Sequence, residues 1–229
     1  MEKLVYLLRR PGDHSPEDFH NELLQGTATH LLENGARGLS INVADIAALP
    51  EGIHMSDPHA RLGACVSIWL DSLDARGPME AQLAALSANP AGYLVTESLA
   101  RDYARRDWPD GARSPGVTLV AAFPKARDID AATFFSEWQE RHTPLSLSMH
   151  PLTRYVRNSV ARVLTPDAPP YWGLVEERVA NLQDLTDPER FFGSLENQER
   201  ASEHLQRFTD LDAMHTALMS EYIFRSLPG

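Results

Sequence analysis

The chain has 229 residues and a formal net charge of −11, and hydrophobic residues make up 43% of it. This length suits two domains of about 100 residues each, and the apolar content is ordinary for a globular protein. The negative charge argues against nucleic acid and anionic membranes as partners, because both are bound through clustered Lys and Arg.

The number of cysteines and the N-terminal sequence narrow the class of protein further. Cys65 is the only cysteine, so the sequence offers neither a disulfide framework nor a thiolate metal cluster. No apolar run approaches the roughly 18 residues of a membrane span, and the first ten residues lack the signal-peptide pattern. We therefore predict a soluble, cytoplasmic protein.

The first half shows the patterns of four strands and two helices. Residues 3–8 form a short apolar run rich in β-formers, and Ser15-Pro16 begins a helix because Ser suits the N-cap and Pro the first helical position. Residues 39–43 alternate apolar and polar, as a half-buried strand does. Further elements follow at residues 65–70, 78–86 and 93–99. The predicted order is β-α-β-β-α-β, which is ferredoxin-like.

A polar, turn-rich linker at residues 108–116 separates this half from a second copy. The second half is predicted to hold strands at 117–123, 152–156, 171–179 and 218–224, with helical regions after residue 130 and at 188–208. At an offset of 115 residues, Val5 aligns with Val120 and Phe19 with Phe134. We predict an α+β fold of two tandem ferredoxin-like repeats, residues 1–107 and 117–229, with their sheets packed on one another.

One motif, residues 138–158, consists of Trp138, then His142-Thr143-Pro144-Leu145, then Arg154-Tyr155-Val156-Arg157-Asn158. This pattern resembles the EthD-domain proteins of the dimeric α/β-barrel superfamily. Thr143 stands where the family usually has glycine, and in the first half Thr27 aligns with His142. The resemblance implies an α/β barrel of antiparallel sheets, closed within one chain, around a small apolar cavity.

The same resemblance implies a range of chemistries. Relatives in the superfamily include cofactor-free lyases, decarboxylases, isomerases, cyclases and monooxygenases that act on aromatic or polyketide-like compounds. Some bind haem, which the lack of a haem motif in this sequence does not exclude.

His142 is the predicted acid/base. It follows Trp138 by four residues on one helical stripe and should face inward. Pro144 disfavours helical geometry at Thr143, so we expect the helix to end at His142. A helix C-terminus favours the imidazolium and burial favours the neutral form, which together would set the His142 pKa near neutrality. The alternative is a buried histidine that fixes the turn.

Other residues are candidates for binding substrate: Trp138, Arg154, Tyr155, Asn158 and His30. Each of Arg154, Tyr155 and Asn158 could bind a substrate oxygen or serve structure alone. His30 either lines a pocket or caps helix carbonyls.

Four further groups leave alternatives open. Glu97 and Glu221 occupy matching strand positions and could pair with Arg101 and Arg225, or point to solvent. His54 and His59, on a long connection, could reach over a pocket or be solvated.

Two hypotheses of function follow. The first is a cofactor-independent lyase or isomerase, of decarboxylase or dehydratase type, that uses His142 on a small hydrophobic or aromatic carbonyl compound. The second is a non-catalytic small-molecule-binding or accessory protein of a degradation or biosynthetic pathway. No metal and no cofactor is predicted, because the sequence lacks the ligand spacings and glycine-rich motifs that they require. The predicted partner is a small hydrophobic molecule, and a homodimer is left open.

Overall fold

The fold is described from a computed structural model covering residues 1–47, 53 and 62–227. His54 and His59 lie outside these residues. In the described part of the chain, no helix is both long enough and apolar enough to span a membrane.

Eight strands close into one antiparallel barrel, in the order β1-β3-β2-β8-β5-β7-β6-β4. Their bounds are β1 Glu2–Arg9, β2 Gly38–Val43, β3 Leu62–Leu70, β4 Ala91–Arg101, β5 Val117–Phe123, β6 Leu152–Val163, β7 Gly173–Val179 and β8 His215–Arg225. Each half contributes four strands in ferredoxin-like order. The pairings β2–β8 and β4–β6 join the halves. The predicted α+β fold of tandem ferredoxin-like repeats closed into a barrel is confirmed.

The helices cover the outside of the barrel. In the first half α1 runs through Pro16–Asn21, Glu22–Thr27 and Ala28–Glu33, and α2 spans Gly77–Leu86. In the second half α3 runs through Ala131–Phe135, Ser136–His142 and Thr143–Met149, followed by α4 (Gln183–Thr186), α5 (Pro188–Phe192) and α6 (Leu195–Gln206). Strand side chains alternate between the helices and the barrel interior, so three apolar layers form.

Helices α1 and α3 share an unusual feature at the same place in both repeats. The middle segment of each, Glu22–Thr27 and Ser136–His142, is π-helical, with hydrogen bonds to the fifth residue back. Thr27 and His142 each end their π segment, so the alignment of these two residues, made from sequence, holds in three dimensions.

The predicted end of α3 at His142 is wrong, because the helix continues to Met149. The wider π turn lets the Thr143 N–H bond to the Trp138 carbonyl. Pro144 has no N–H to offer, and Arg157 supplies hydrogen bonds from the neighbouring strand instead. Its Nη1 donates to the Gln139 carbonyl at 3.2 Å and to Thr143 Oγ1 at 3.1 Å.

One end of the barrel is occupied by the connection between the halves. Arg113 donates to Ser220 Oγ on β8 at 2.9 and 2.7 Å, and the Ser114 N–H donates to the Glu221 carbonyl at 2.8 Å. The Tyr103 hydroxyl donates to Glu221 Oε2 at 2.7 Å. These bonds tie the connection to the last strand.

Candidate functional site

A cavity of about 120 Å³ lies in the second half, between the outer faces of β5, β6 and β7 and the helices α3, α5 and α6. Most of its lining is apolar, with five aromatic rings from Phe123, Trp138, Phe191, Phe192 and Phe208. An engineered cavity of about 150 Å³ in another protein holds benzene, so this volume is on the scale of one aromatic ring.

Four titratable side chains line the cavity: His142, His150, Tyr155 and Glu177. Tyr155 on β6 and Glu177 on β7 are direct cross-strand partners, and both face the helices. His142 comes from the π segment of α3, and His150 from the residue that ends α3. The geometry therefore collects one carboxyl, one phenol and two imidazoles around an apolar space.

The pKa of Glu177 is shifted toward neutrality, as acid/base catalysis would require. It is 8% exposed, and burial raises its pKa from 4.5 to about 7, an effect that a hydrogen bond from Tyr155 opposes. No cation is paired with Glu177 in the described part of the chain. At neutral pH this carboxyl is present in both protonation states, as a general acid or base requires.

Glu176, the adjacent residue, points the other way and has the opposite environment. Its carboxylate accepts from Asn42 at 3.0 Å and Asn158 at 3.5 Å, and Lys3 Nζ lies 3.7 Å away. Burial alone would raise the Glu176 pKa, but the cations and amides outweigh it and hold the pKa below its usual value. Glu176 therefore stays ionised inside the barrel, whereas Glu177 is poised to gain or lose a proton.

His142 is neutral in this site. Burial lowers its pKa from 6.5 to about 3, with smaller contributions from His204 and His150. The expected pKa near neutrality is wrong, because α3 continues past His142 and no helix end is there to favour the imidazolium. The His142 Nδ1 has no hydrogen-bond partner in the described part of the chain. A buried unpaired ring nitrogen beside a cavity is available to a ligand.

His150 is also neutral. Burial lowers its pKa to about 4, although its bond to the Phe191 carbonyl, at 2.9 Å from Nδ1, opposes the shift. Its ring stacks on Phe191 with centroids 3.9 Å apart. This histidine forms one wall of the cavity.

The structure brings together three of the predicted site residues and separates the others. Trp138, His142 and Tyr155 all line the cavity. Arg154 and Asn158 lie on the opposite face of β6, inside the barrel, and line no part of it.

Arg154 and Asn158 instead serve the barrel's ionic interior. Arg154 pairs with Glu221 at 3.1 Å and with Asp102 at 3.4 Å. Asn158 donates to Glu176. Both therefore belong to the ionic interior of the barrel and not to this cavity, and their expected role in binding substrate stays a prediction.

His30 is half-buried on α1 in the first half, away from the cavity of the second. Its carbonyl accepts from the Asn34 backbone N–H at 3.0 Å and from the Asn34 side chain at 2.9 Å. His30 does not line the cavity of the second half, and its expected role in binding stays a prediction.

Of the two alternatives for Glu97 and Glu221, the pairing with Arg101 and Arg225 does not occur. Glu97 pairs with Lys3 at 2.7 Å, and Glu221 with Arg154. The two arginines donate to backbone carbonyls, Arg101 to Leu152 at 2.9 Å and Arg225 to Ala36 at 2.6 Å. Neither glutamate reaches the cavity.

Sequence reasoning missed Glu177 and His150. A signal for Glu177 was present, since residues 173–179 place two consecutive glutamates, followed by Arg178, inside a strand whose other residues are apolar or glycine. His150 sits at a helix end and gave no pattern of its own.

A porphyrin does not fit this cavity, whose volume is on the scale of a single ring. Among residues 1–47, 53 and 62–227, no three His, Cys, Asp or Glu side chains are grouped so that they could hold a metal ion.

Comparison with solved structures identifies the fold. An anthrone oxidase-like protein superposes with a TM-score of 0.65 at 7% identity, over 100% of this chain and 95% of that chain. A candidate monooxygenase from Fusobacterium nucleatum subsp. nucleatum gives 0.50 at 8% identity, over 98% and 92%. A dye-decolorizing peroxidase from Bacteroides thetaiotaomicron gives 0.49 at 8% identity, over 97% and 93%.

No protein-family model matches the chain, and no curated protein matches it in sequence. The structural neighbours are oxidoreductases by description, and at such identities their likeness concerns the fold alone. The chain has the fold of the dimeric α/β-barrel superfamily, with both halves of the barrel supplied by one polypeptide.

Proposed function

We propose that this protein is a cofactor-independent enzyme that moves a proton on a small carbonyl compound about the size of one aromatic ring. Glu177 is the acid/base, and Tyr155 and His142 bind the substrate oxygen. The observation that carries the proposal is a buried carboxyl with a pKa of about 7 facing an apolar cavity. Perturbed groups of this kind cluster at functional sites.

The chemistry can be written with every proton accounted for. The Glu177 carboxylate takes a proton from the carbon next to the carbonyl, the C–H bond breaks, and its electron pair moves to the carbonyl oxygen as an enolate. The Tyr155 hydroxyl or the N–H of neutral His142 donates a hydrogen bond to that oxygen. Glu177, now a carboxylic acid, returns the proton to another carbon or to a leaving group.

This proposal keeps the lyase or isomerase class and changes the acid/base. Return of the proton to a new carbon is an isomerisation, and loss of a protonated leaving group is an elimination. His142 becomes a neutral hydrogen-bonding group, since its pKa of about 3 leaves it uncharged at pH 7. EthD membership, suggested by the motif around His142, belongs to the same proposal.

The test is proton exchange. A panel of single-ring ketones and phenols is incubated with the protein in D2O at pH 7.5, and loss of each C–H signal is followed by NMR. We expect exchange of at least one compound, lost at least 100-fold in Glu177→Gln. Glu203→Gln, an exposed change of the same type on α6, is the matched control and should exchange normally.

Two results would decide against the proposal. Exchange that is unchanged in Glu177→Gln would remove the acid/base role. Tight binding of a ring compound without exchange of any proton would favour the accessory, non-catalytic alternative. Running the same panel without oxygen distinguishes proton transfer, which persists, from oxidation of the carbanion, which stops.

A further inference from the structure

The end of the barrel opposite the connection holds a second and larger cavity, of about 400 Å³. It lies where β1 ends and where β3, β4 and β8 begin. Ligand pockets typically measure about 300 to 1,000 Å³, and barrel mouths are a common location for them. This mouth shares no lining residue with the candidate active site.

Two arginines, Arg9 and Arg10, line this mouth, and neither is paired with a carboxylate of the described residues. In the part of the chain that the structure describes, the exposed Arg9 guanidinium has neither an ion pair nor a hydrogen bond, and Arg10 donates only to the His14 carbonyl. Only the main chain of Arg9 is held, because its N–H and carbonyl both bond to Ser87 Oγ, at 3.0 and 2.8 Å. A fixed backbone presents a guanidinium that is free to bind an anion.

The inner wall of the mouth is aromatic and apolar. Tyr171 and His215 line the mouth, and Tyr171 Oη is 2.5 Å from His215 Nδ1. The Tyr171 ring lies 6.0 Å from the ring of Tyr93, which is fully buried and is not part of the lining. Arg9 is near enough to both phenols to oppose the burial that raises their pKa values. Leu7 and Leu62 complete an apolar floor. Arg9, Arg10 and Tyr171 therefore line one space.

The rim carries one strained residue. Asn89 has a φ of +52°, a left-handed conformation that a residue other than glycine adopts at a cost. Such strain is often kept at binding sites. Here it shapes the loop between α2 and β4, which contributes Asn89 to the mouth.

We propose that this mouth binds a small aromatic carboxylate. The guanidinium of Arg9 takes the carboxylate as a two-point partner, Arg10 adds charge, and Tyr171 and the apolar floor take the ring. The site is independent of the proposed function. Although the protein has a net charge of −11, Arg9 and Arg10 provide local positive charge that can bind an organic anion.

Asp167 provides a further test of the proposed anion site. Its carboxylate lines the same mouth but is paired with neither arginine. It repels a bound anion, so Asp167→Asn should tighten binding. If the mouth served only the structure, Asp167→Asn would not tighten the binding of an anion.

The experiment is calorimetric titration of the intact protein with benzoate, and with benzyl alcohol as the neutral ring of similar size. We expect benzoate to bind, benzyl alcohol to bind at least tenfold more weakly, and benzoate affinity to fall as salt rises. Arg9→Gln should weaken benzoate at least tenfold and Asp167→Asn should strengthen it. Arg105→Gln, an exposed change at the other end of the barrel, should have no effect.

NMR of the ring protons gives a second reading, because bound benzoate should shift Tyr171 and His215. Three results would overturn the proposal: no benzoate binding at millimolar concentration, equal binding of benzoate and benzyl alcohol, or benzoate affinity unchanged by Arg9→Gln in a variant whose circular dichroism is native.

Discussion

Glu176 and Glu177 are adjacent in the sequence, but their environments shift the pKa values of their carboxyl groups in opposite directions. Strand geometry directs Glu176 into the barrel, where Lys3 and two amides stabilise its charge. It directs Glu177 into an apolar cavity, where no cation of the described residues is paired with it. Pairs of titratable groups whose environments push their pKa values apart are a mark of acid/base sites. The functional assignment therefore depends on which face of β7 each residue occupies.

The raised pKa of Glu177 predicts that replacing this residue stabilises the protein in a pH-dependent way. Folding favours the protonated carboxyl, so the stability that it contributes is complete below pH 4.5 and is lost as pH rises through about 7. Gln is neutral at every pH, so Glu177→Gln should raise the free energy of unfolding at pH 8 by about 3 kcal/mol relative to its effect at pH 5. Urea unfolding at the two pH values measures the difference. An equal effect at both would show that Glu177 titrates normally.

His142 predicts acid sensitivity of the opposite sign. Its pKa is lowered from 6.5 to about 3, so its contribution is complete above pH 6.5 and is lost as pH falls toward 3. Between pH 8 and pH 5 the wild-type protein should lose about 2 kcal/mol from this group. His142→Gln should remove that loss, and His30→Gln should leave it in place. The same urea titrations report it, and an unaltered slope in His142→Gln would contradict the prediction.

At the scale of the element, α3 explains how a proline can sit within a helix. The π segment widens the turn before Pro144, and Arg157 from β6 bonds to the Gln139 carbonyl and the Thr143 hydroxyl. In the first half Thr29 aligns with Pro144, and its hydroxyl bonds to the Gln25 carbonyl at 2.8 Å. The π segment occurs in both repeats and therefore does not depend on the proline.

Arg157→Met is expected to destabilise the protein by about 1 to 2 kcal/mol, because the part-buried Gln139 carbonyl loses its donor. In a Pro144→Ala background the backbone N–H is restored, and the same change should cost less. The double-mutant cycle, measured by chemical denaturation, gives the coupling between the two positions. Additive effects would mean that Arg157 does not compensate for the proline.

The sequence predicted strands and their order well, because short apolar runs and turn residues mark them clearly. It could not predict the faces of β6, where Arg154 and Asn158 were grouped with Tyr155. In a closed barrel covered by helices both strand faces are buried, and the polar/apolar alternation that reports facing is lost. β7 is buried at all seven positions, for the same reason.

At the scale of the whole molecule, two strand pairings between the repeats, β2–β8 and β4–β6, close one barrel. We call these two pairings the seams. Asn42 pairs with Glu221 across β2–β8, and Glu97 with Asn158 across β4–β6. An isolated half would expose both seam strands as unpaired edges. The division at residues 108–116 stays a sequence prediction, and so does the homodimer, which would need a surface other than these seams.

Separate expression of residues 1–107 and 117–229 tests this account of assembly. Each piece alone should aggregate or self-associate, and the two co-expressed should form a 1:1 complex on native mass spectrometry. The intact chain should unfold in one cooperative transition. A stable monomeric half with native circular dichroism would contradict the prediction.

The central claim is that Glu177 exchanges a proton near neutral pH inside an apolar cavity. The most direct test is a pH titration of side-chain carboxyl carbons by NMR, in protein labelled with ¹³C at glutamate and compared with Glu177→Gln. We expect one carboxyl to titrate near pH 7 in the wild-type protein and that resonance to be absent in the variant. If every glutamate carboxyl titrates below pH 5.5, or if the resonance near 7 persists in Glu177→Gln, the claim is wrong.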